Sequence, residues 1–281
     1  MSNIKTAFGT VIYNQAWEWN KEYIESLNLQ DTRDFDVIII NDGVSEERVV
    51  KLVNGIHTDI KIINVEGNTL SQNRIILIKE ALKLGYDLLV FGDFDDVFSN
   101  NRISCIQKEF TCEIGFYYQE IKQFNKKNVF KTMPQITNCF DQIIEENYLG
   151  LGNTAINLHK VNEDFLDSLD DVKTNVFDWY FYARLLLYGL YGVFIKDGYT
   201  LYRQHSDNLV GDYNYQIEMI DREIKVKLEQ YTLLKKYEPK LKKIIEKYEL
   251  IKKEPLKEVN NKYKNPNFQG YWWSSIKCIR R

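Results

Sequence analysis

With 281 residues, 44% of them hydrophobic and only 14 Gly and 4 Pro, the chain is long enough for one large domain or a domain with an appendage, and its composition excludes a disordered or collagen-like protein. The formal charge of −3 hides an asymmetry: residues 222–281 carry 17 Lys/Arg against 7 Asp/Glu, leaving 20 against 33 for residues 1–221. This acidic body with a basic tail gives no reason to expect a nucleic-acid partner.

In chain order, KTAFGTVI (5–12) reads as a strand, 16–29 as a helix and FDVIII (35–40) as an apolar strand. A helix over 45–53 opened by Ser45 and a strand over 59–66 follow, then a helix from Ser71 to Leu84 stopped by Gly85 and the strand DLLVFG (87–92). Alternating strands and helices with continuous apolar strands predict an α/β fold, a parallel sheet covered on both faces, with ligands beyond the carboxyl ends of the strands. After residue 100 the pattern gives a helix (about 101–110), a strand (113–121), an irregular polar stretch to about 149 and a Gly-led strand (150–158). Helices near 161–169 and 177–188, strands YGVFIK and YTLYRQH, and a Lys-rich helical hairpin from Tyr213 to about Lys253, broken near Pro239, complete the chain. Trp179 to Ile195 is 17 residues with one charge, Arg184. That is short of the ~20 apolar residues a span needs, so it reads as a buried helix followed by a buried strand.

Four cysteines at 105, 112, 139 and 278 lack C-x-x-C spacing and indicate neither a zinc site nor a disulfide scaffold. With no signal-peptide pattern in MSNIKTAFGTVIYN, a cytoplasmic protein is expected. The abundance of Tyr, Phe and Trp, 14% of the chain, predicts a binding cleft.

Four places carry candidate chemistry. Asp93-Phe94-Asp95-Asp96 follows LLVFG, and three carboxylates at a strand end repel one another and call for a cation. Mg²⁺ or Mn²⁺ with oxygen ligands fits, as does an exposed acidic turn. Asn41-Asp42-Gly43 after FDVIII places Asp42 to accept hydrogen bonds from a base or ribose, or forms an ordinary turn. In the stretch Tyr202 to Asn208, His205 is the one histidine of three with Arg and Asn beside it at a strand end, where imidazole suits Mn²⁺. Asp178 opens the apolar helix FDWYFYARLLLYG, either as a helix N-terminal charge or as a general base whose pKa an apolar wall would raise, with Asp207 as the next candidate.

Together these resemble the bacterial-type family 2 glycosyltransferases of GT-A fold over about residues 5–211. The similarity lies in Tyr13-Asn14, Asp42 in FDVIIINDGVSEE, NVEGNTLSQN, the DxD motif in LLVFGDFDD, the catalytic-helix motif FDWYFYARLLLYG and YRQHSDN. The resemblance implies a nucleotide-diphospho-sugar transferase fold, a mostly parallel sheet flanked by helices, with a catalytic domain over 1–212 and a basic helical extension over 213–281. It implies that Tyr13 stacks on uracil, Asp42 holds the base, Asn73 and Asp93 belong to the nucleotide-sugar site, and Asp95 with His205 binds Mn²⁺ or Mg²⁺. Asp178 would deprotonate the acceptor, a glycan or lipid-linked hydroxyl of bacterial surface polysaccharide, and direct displacement on a UDP-sugar would invert the anomeric centre. Two positions depart from the pattern: Phe177 stands where Glu usually precedes the catalytic Asp, and Gln72 where Arg often precedes the helix Asn. Acceptor choice is expected to lie in residues 116–150.

Two other functions compete: a catalytically silent GT-A-like module that binds a nucleotide sugar or glycan, and a haloacid-dehalogenase-type phosphatase using DFDDV (93–97). The phosphatase motif normally sits at the first strand, whereas three strands precede it here. The tail, ending in Tyr271-Trp272-Trp273 and Arg280-Arg281, suits peripheral contact with the anionic inner face of the cell membrane. Equally, the hairpin packs on the acidic body and the two tryptophans fill its groove or a homodimer interface.

Overall fold

The apolar runs of the first hundred residues pair side by side as their pattern requires. The structure, a computed structural model, describes residues 4–170, 172–203 and 217–279, with Ile217 and Glu218 as backbone only. Strands β1 (Thr6–Tyr13), β2 (Asp36–Asp42), β3 (Ile60–Val65) and β4 (Leu88–Phe91) lie parallel in the order β3-β2-β1-β4. Helices α1 (Asn20–Asn28), α2 (Glu46–Gly55) and α3 (Leu70–Lys83) make the crossovers. Residues 16–19, expected as the start of the first helix, belong instead to a 3₁₀ helix, Asn14–Trp19. The strands read as continuous apolar runs because both faces are covered. Val37 and Ile39 join Tyr23, Leu27 and Leu52 in one layer, while Ile38 and Ile40 join Ile75 and Ile78 in the other.

Beyond residue 95 the chain forms β5 (Val97–Phe98), α4 (Arg102–Glu109), β6 (Phe116–Lys122), β7 (Ile136–Thr137), β8 (Thr154–Asn157), α5 (Glu163–Asp167), α6 (Phe177–Leu187) and β9 (Gly192–Leu201). The sheet continues from β4 as β8-β6-β9-β5, with β7 also on β9. The first four strands are parallel as expected, and beyond them the sheet is mixed: β6 and β9 are parallel, β8 is antiparallel to both β4 and β6, and β5 and β7 are antiparallel to β9. Residues 123–153 contain no α-helix to carry a parallel crossover, so the chain returns in the opposite sense.

Two local readings also change. Residues 151–153 are a 3₁₀ turn, closed by the Asn153 side chain accepting the Gly150 N–H at 2.9 Å, and the strand begins only at Thr154. The two strands read between Tyr191 and His205 are, in the described part, the single strand β9. The polar Asp197-Gly198 pair that reads as a turn is absorbed by a register shift against β6 between Tyr118 and Glu120. Gly198 has φ +83°, and Gln119 Nε2 donates to Asp197 O at 2.8 Å. The segment 179–195 is, as expected, a buried helix followed by a strand, and no helix among the described residues is long and apolar enough to cross a membrane.

The basic tail forms α7 (Ile217–Leu234), α8 (Leu241–Ile251) and an unexpected α9 (Leu256–Tyr263). These helices bury Ile224, Tyr231, Leu241, Tyr248 and Val259 in the same apolar layer as Trp179 and Phe181 of α6, so residues 217–279 share the core of the body. Lys227 and Glu223, both buried, form an ion pair at 2.9 Å that clamps the end of the chain. Glu223 accepts the Ser275 and Ile276 N–H groups at 3.1 Å each, and Lys227 Nζ donates to Ile276 O at 2.6 Å. Removing one partner strands the other charge without solvent. Lys227→Ala is therefore expected to cost about 3–5 kcal/mol in urea unfolding, and a loss under about 1 kcal/mol would mean that water reaches Glu223.

Candidate active site

The carboxyl ends of β1, β2 and β4 converge, and each delivers a polar side chain to one cavity of about 560 Å³. Tyr13 and Asp42 are register partners at the ends of β1 and β2, and both line it. Asp42 is fixed from behind, since Asn73 on α3 donates from Nδ2 to Asp42 Oδ2 at 2.9 Å. Asn73 itself is fully buried, behind Asp42 and off the lining of the cavity. The start of α3 is set by a capping box in which Gln72 Oε1 accepts the Thr69 N–H at 2.8 Å. Gln72 is thus occupied with the backbone, and Arg74 brings the positive charge of that turn into the cavity, bonded to Asp93 at 3.0 Å.

After β4 the DFDD sequence alternates between core and cavity. Phe94 is fully buried with its ring 4.9 Å from that of Tyr23, and this anchor turns Asp93, Asp95 and Asp96 to the cavity. Gly152 closes over them: a Cβ there would lie 2.9 Å from Asp93 Oδ2 and 3.0 Å from Asp96 Oδ2, so a side chain would displace the two carboxylates. Arg203, just past β9, donates its N–H to Asp96 Oδ1 at 2.9 Å and its Nε–H to Asp95 O at 2.8 Å. Beneath the cluster Arg102 is fully buried, bonded to Phe91 O and Gly152 O and lying 4.9 Å above the Phe98 ring. Burial lowers its pKa to about 10, with Asp96 and Asp93 opposing, and it remains a cation at neutral pH.

Asp178, in the first turn of α6, lines the same cavity beside Phe177. Its Oδ1 accepts the Trp179 N–H at 2.8 Å and its Oδ2 accepts Asn147 Nδ2 at 3.3 Å. Burial pushes its pKa up to about 6, outweighing the N–H of Trp179 and the positive charge of Arg74. That value lets the carboxylate be ionised at neutral pH and still bind a proton readily.

The acid cluster suits a hard divalent cation by its donors. Asp96 Oδ2 is buried without a hydrogen-bond partner, and burial with the charges of Asp95 and Asp93 raises the Asp96 pKa well above the carboxylate range. Among the described residues no three His, Cys, Asp or Glu side chains form a ready-made ion cage. An ion here would therefore draw on one or two carboxylates and on the phosphates of a ligand.

Of the residues singled out in the sequence, Tyr13, Asp42, Asp93, Asp95 and Asp178 meet in this cavity, and Asn73 stands behind it. His205 and Asp207 lie outside the described residues. Sequence reasoning missed Arg74, whose signal is a cation one residue past Asn73 in the first turn of α3. It also missed Trp272 and Trp273 as cavity walls. Tyr271, Trp272 and Trp273 are at most 9% exposed, which corrects their expected placement at a membrane surface: they fill a groove on the body, the alternative the sequence left open.

Solved glycosyltransferase structures share this architecture. TarS 1-349 of S. aureus, in complex with UDP-GlcNAc, matches with TM-score 0.53 and 16% identity over 81% of this chain, which covers 66% of that one. The mannosyltransferase PcManGT from Pyrobaculum calidifontis, in complex with GDP-Man and Mn²⁺, matches with TM-score 0.53 and 13% identity over 87% of this chain and 68% of its own. The fold is thus that of the GT-A glycosyltransferases. No curated protein matches by sequence. The family model of glycosyl transferase family 2 matches residues 8–163, more than half of the chain, and the chain belongs to that family. This sets the phosphatase reading aside.

Because the Asp178 pKa is raised, the residue must lose its proton before it can accept another. Transfer is expected to fall about tenfold per pH unit below pH about 6 and to level off above it. A pH profile of kcat that breaks instead at the ordinary carboxylate value of about 4 would mean that water reaches Asp178.

Proposed function

We propose that this protein is an inverting, metal-dependent hexosyltransferase. It moves a sugar from a nucleotide-diphosphate donor, most simply a UDP-sugar, to a hydroxyl of a glycan or lipid-linked acceptor of bacterial surface polysaccharide. The observation that carries the reading is a single buried carboxylate with a pKa of about 6, Asp178, lining one cavity with the Asp93-Asp95-Asp96 cluster. The UDP-GlcNAc complex of TarS supports the donor class, and the GDP-Man and Mn²⁺ complex of PcManGT supports a divalent ion.

In this reading Tyr13 stacks on the base, Asp42, held by Asn73, receives hydrogen bonds from it, and Asp93, held by Arg74, orients the ribose or sugar. Asp95 is the metal ligand, with His205 as its expected partner. When bound, the ion supplies positive charge beside the departing diphosphate. As the acceptor oxygen attacks C1, its proton passes to Asp178, the new C1–O bond forms, and the electron pair of the breaking C1–O bond leaves with the diphosphate. Attack from the face opposite the leaving group inverts C1, and no second carboxylate nucleophile is needed. Phe177, buried and stacked on Phe181 at 5.7 Å, is a wall for the base rather than a second acid. Contact with an anionic membrane would rest on exposed lysines such as Lys242, Lys243, Lys252 and Lys253, because the tail aromatics are buried.

Two substitutions test the assignment in the full-length protein. Asp178→Asn is expected to bind UDP as the wild type does while losing roughly 10²–10⁴-fold in kcat. A loss of only a few-fold would place the base elsewhere, and wild-type protein that binds but transfers from no UDP-, GDP- or dTDP-sugar would favour the silent module. Asp95→Asn is expected to abolish the Mn²⁺ enhancement of UDP binding in calorimetry without lowering the melting temperature. An unchanged enhancement would remove Asp95 from the metal site.

A further inference from the structure

The last described segment of the chain, residues 271–276, is built into the cavity wall with more restraint than a tail needs. Trp272 exchanges backbone hydrogen bonds with Asn147, at 2.8 and 2.9 Å, and the Asn147 side chain is the one that donates to Asp178. The segment and the candidate base are therefore one residue apart in the hydrogen-bond chain. Behind it, Ser274 O accepts Asn265 Nδ2 at 2.8 Å, and the buried pair Glu223–Lys227 holds Ser275 and Ile276. The Trp272 ring is wedged between Phe130, at 5.1 Å, and Tyr202, at 6.2 Å, with its edge against Gly150, where a Cβ would come within 2.7 Å.

Trp273 differs from its neighbour. Its backbone is left-handed, φ 57°, a costly conformation for a bulky side chain and one that persists where the surroundings enforce it. It lines the cavity together with Asp178, Asn175 and Val176. Among the described residues its ring has no aromatic partner and its indole N–H no hydrogen-bond acceptor. An indole with an open edge donor beside an apolar face matches a pyranose, which presents C–H groups on one face and hydroxyls around its rim. The charge of the cavity points the same way. Its described lining holds Asp42, Asp93, Asp95, Asp96 and Asp178 against Arg74 alone, and Arg74 is paired with Asp93. The wall formed by Asn175, Val176, Phe177, Asp178 and Trp273 carries no cation, so a neutral ring suits it, whereas the diphosphate of the donor would rely on an ion at the Asp93-Asp95-Asp96 cluster.

We infer that Trp273, held by the clamped 271–276 segment, is the platform on which the acceptor pyranose stacks with its hydroxyl towards Asp178. The inference rests on the transferase reading and gives it an acceptor class: a neutral terminal sugar, whatever carries it.

The test uses full-length protein, the UDP-sugar that shows turnover, and p-nitrophenyl pyranosides as acceptors. Trp273→Ala is expected to raise the acceptor KM about tenfold or more, while Trp273→Phe keeps most of the affinity because a ring face remains. Donor KM stays within about twofold of wild type, so the loss is confined to the acceptor. An unchanged acceptor KM in Trp273→Ala, or parallel losses in donor KM and melting temperature that indicate a merely structural role, would overturn the inference. So would saturation by an alkyl phosphate in preference to the pyranosides. A binding readout separates this failure from failure of the transferase reading: in protein carrying 5-fluorotryptophan, the Trp273 fluorine resonance is expected to move on titration with methyl pyranosides. A moving resonance without turnover keeps the platform and removes the enzyme, and a fixed resonance with turnover does the reverse.

Discussion

Among the described residues five carboxylates share one cavity, and much of the surrounding structure follows from keeping them there. Like charges in a place of restricted solvation raise each other's pKa or demand cations, and the chain supplies three arginines around the cluster. Arg74 pairs with Asp93 from above, Arg203 ties the backbone at Asp95 and Asp96 from β9, and Arg102 sits beneath in full burial. Space is allotted as strictly as charge. Gly152 passes so close to Asp93 and Asp96 that any side chain would displace them, and Phe94 pins the loop by burying the one apolar residue within it. Even so, Asp96 keeps one buried oxygen without a partner, the remaining imbalance that a divalent ion would answer.

Asp178 shows the same physics in a milder form. It sits on a helix whose other side chains are mostly buried aromatics and aliphatics, so the removal of water dominates its ionisation and the charge of Asp93 adds to it.

The basic tail is part of this arrangement. Its charges suggest a surface, yet its apolar stripe enters the core beside α6, and the ion pair of Lys227 with Glu223 fixes the final strand-like stretch against Asn147. The cavity thereby acquires walls from both ends of the chain, and the hydrogen bond that orients Asp178 depends on a residue which the C-terminal segment itself pairs with.

What the sequence determined by itself is what local chemistry determines. The 2- and 3.6-residue periodicities give β1 to β4 and their helices, because burial on both faces leaves an apolar run as its signature. Acid residues directly after apolar strands give Asp42, Asp93 and Asp95 as candidates, because the carboxyl ends of parallel strands are where an α/β sheet exposes its ligand groups, and the lone carboxylate opening an apolar helix gives Asp178. Tertiary structure decided the rest, wherever the deciding contact joins residues distant in sequence. No local pattern distinguishes an antiparallel β8 from a parallel one, since pairing sense is set by the path of the intervening loop. Nor does one show that Asn73 serves Asp42 from behind, that the Asp197-Gly198 pair is a bulge rather than a turn, or that Trp272 and Trp273 face the cavity and not solvent. The raised pKa of Asp178 is the plainest instance: the residue is legible in the sequence, but its ionisation belongs to the packed surroundings that exclude water from it.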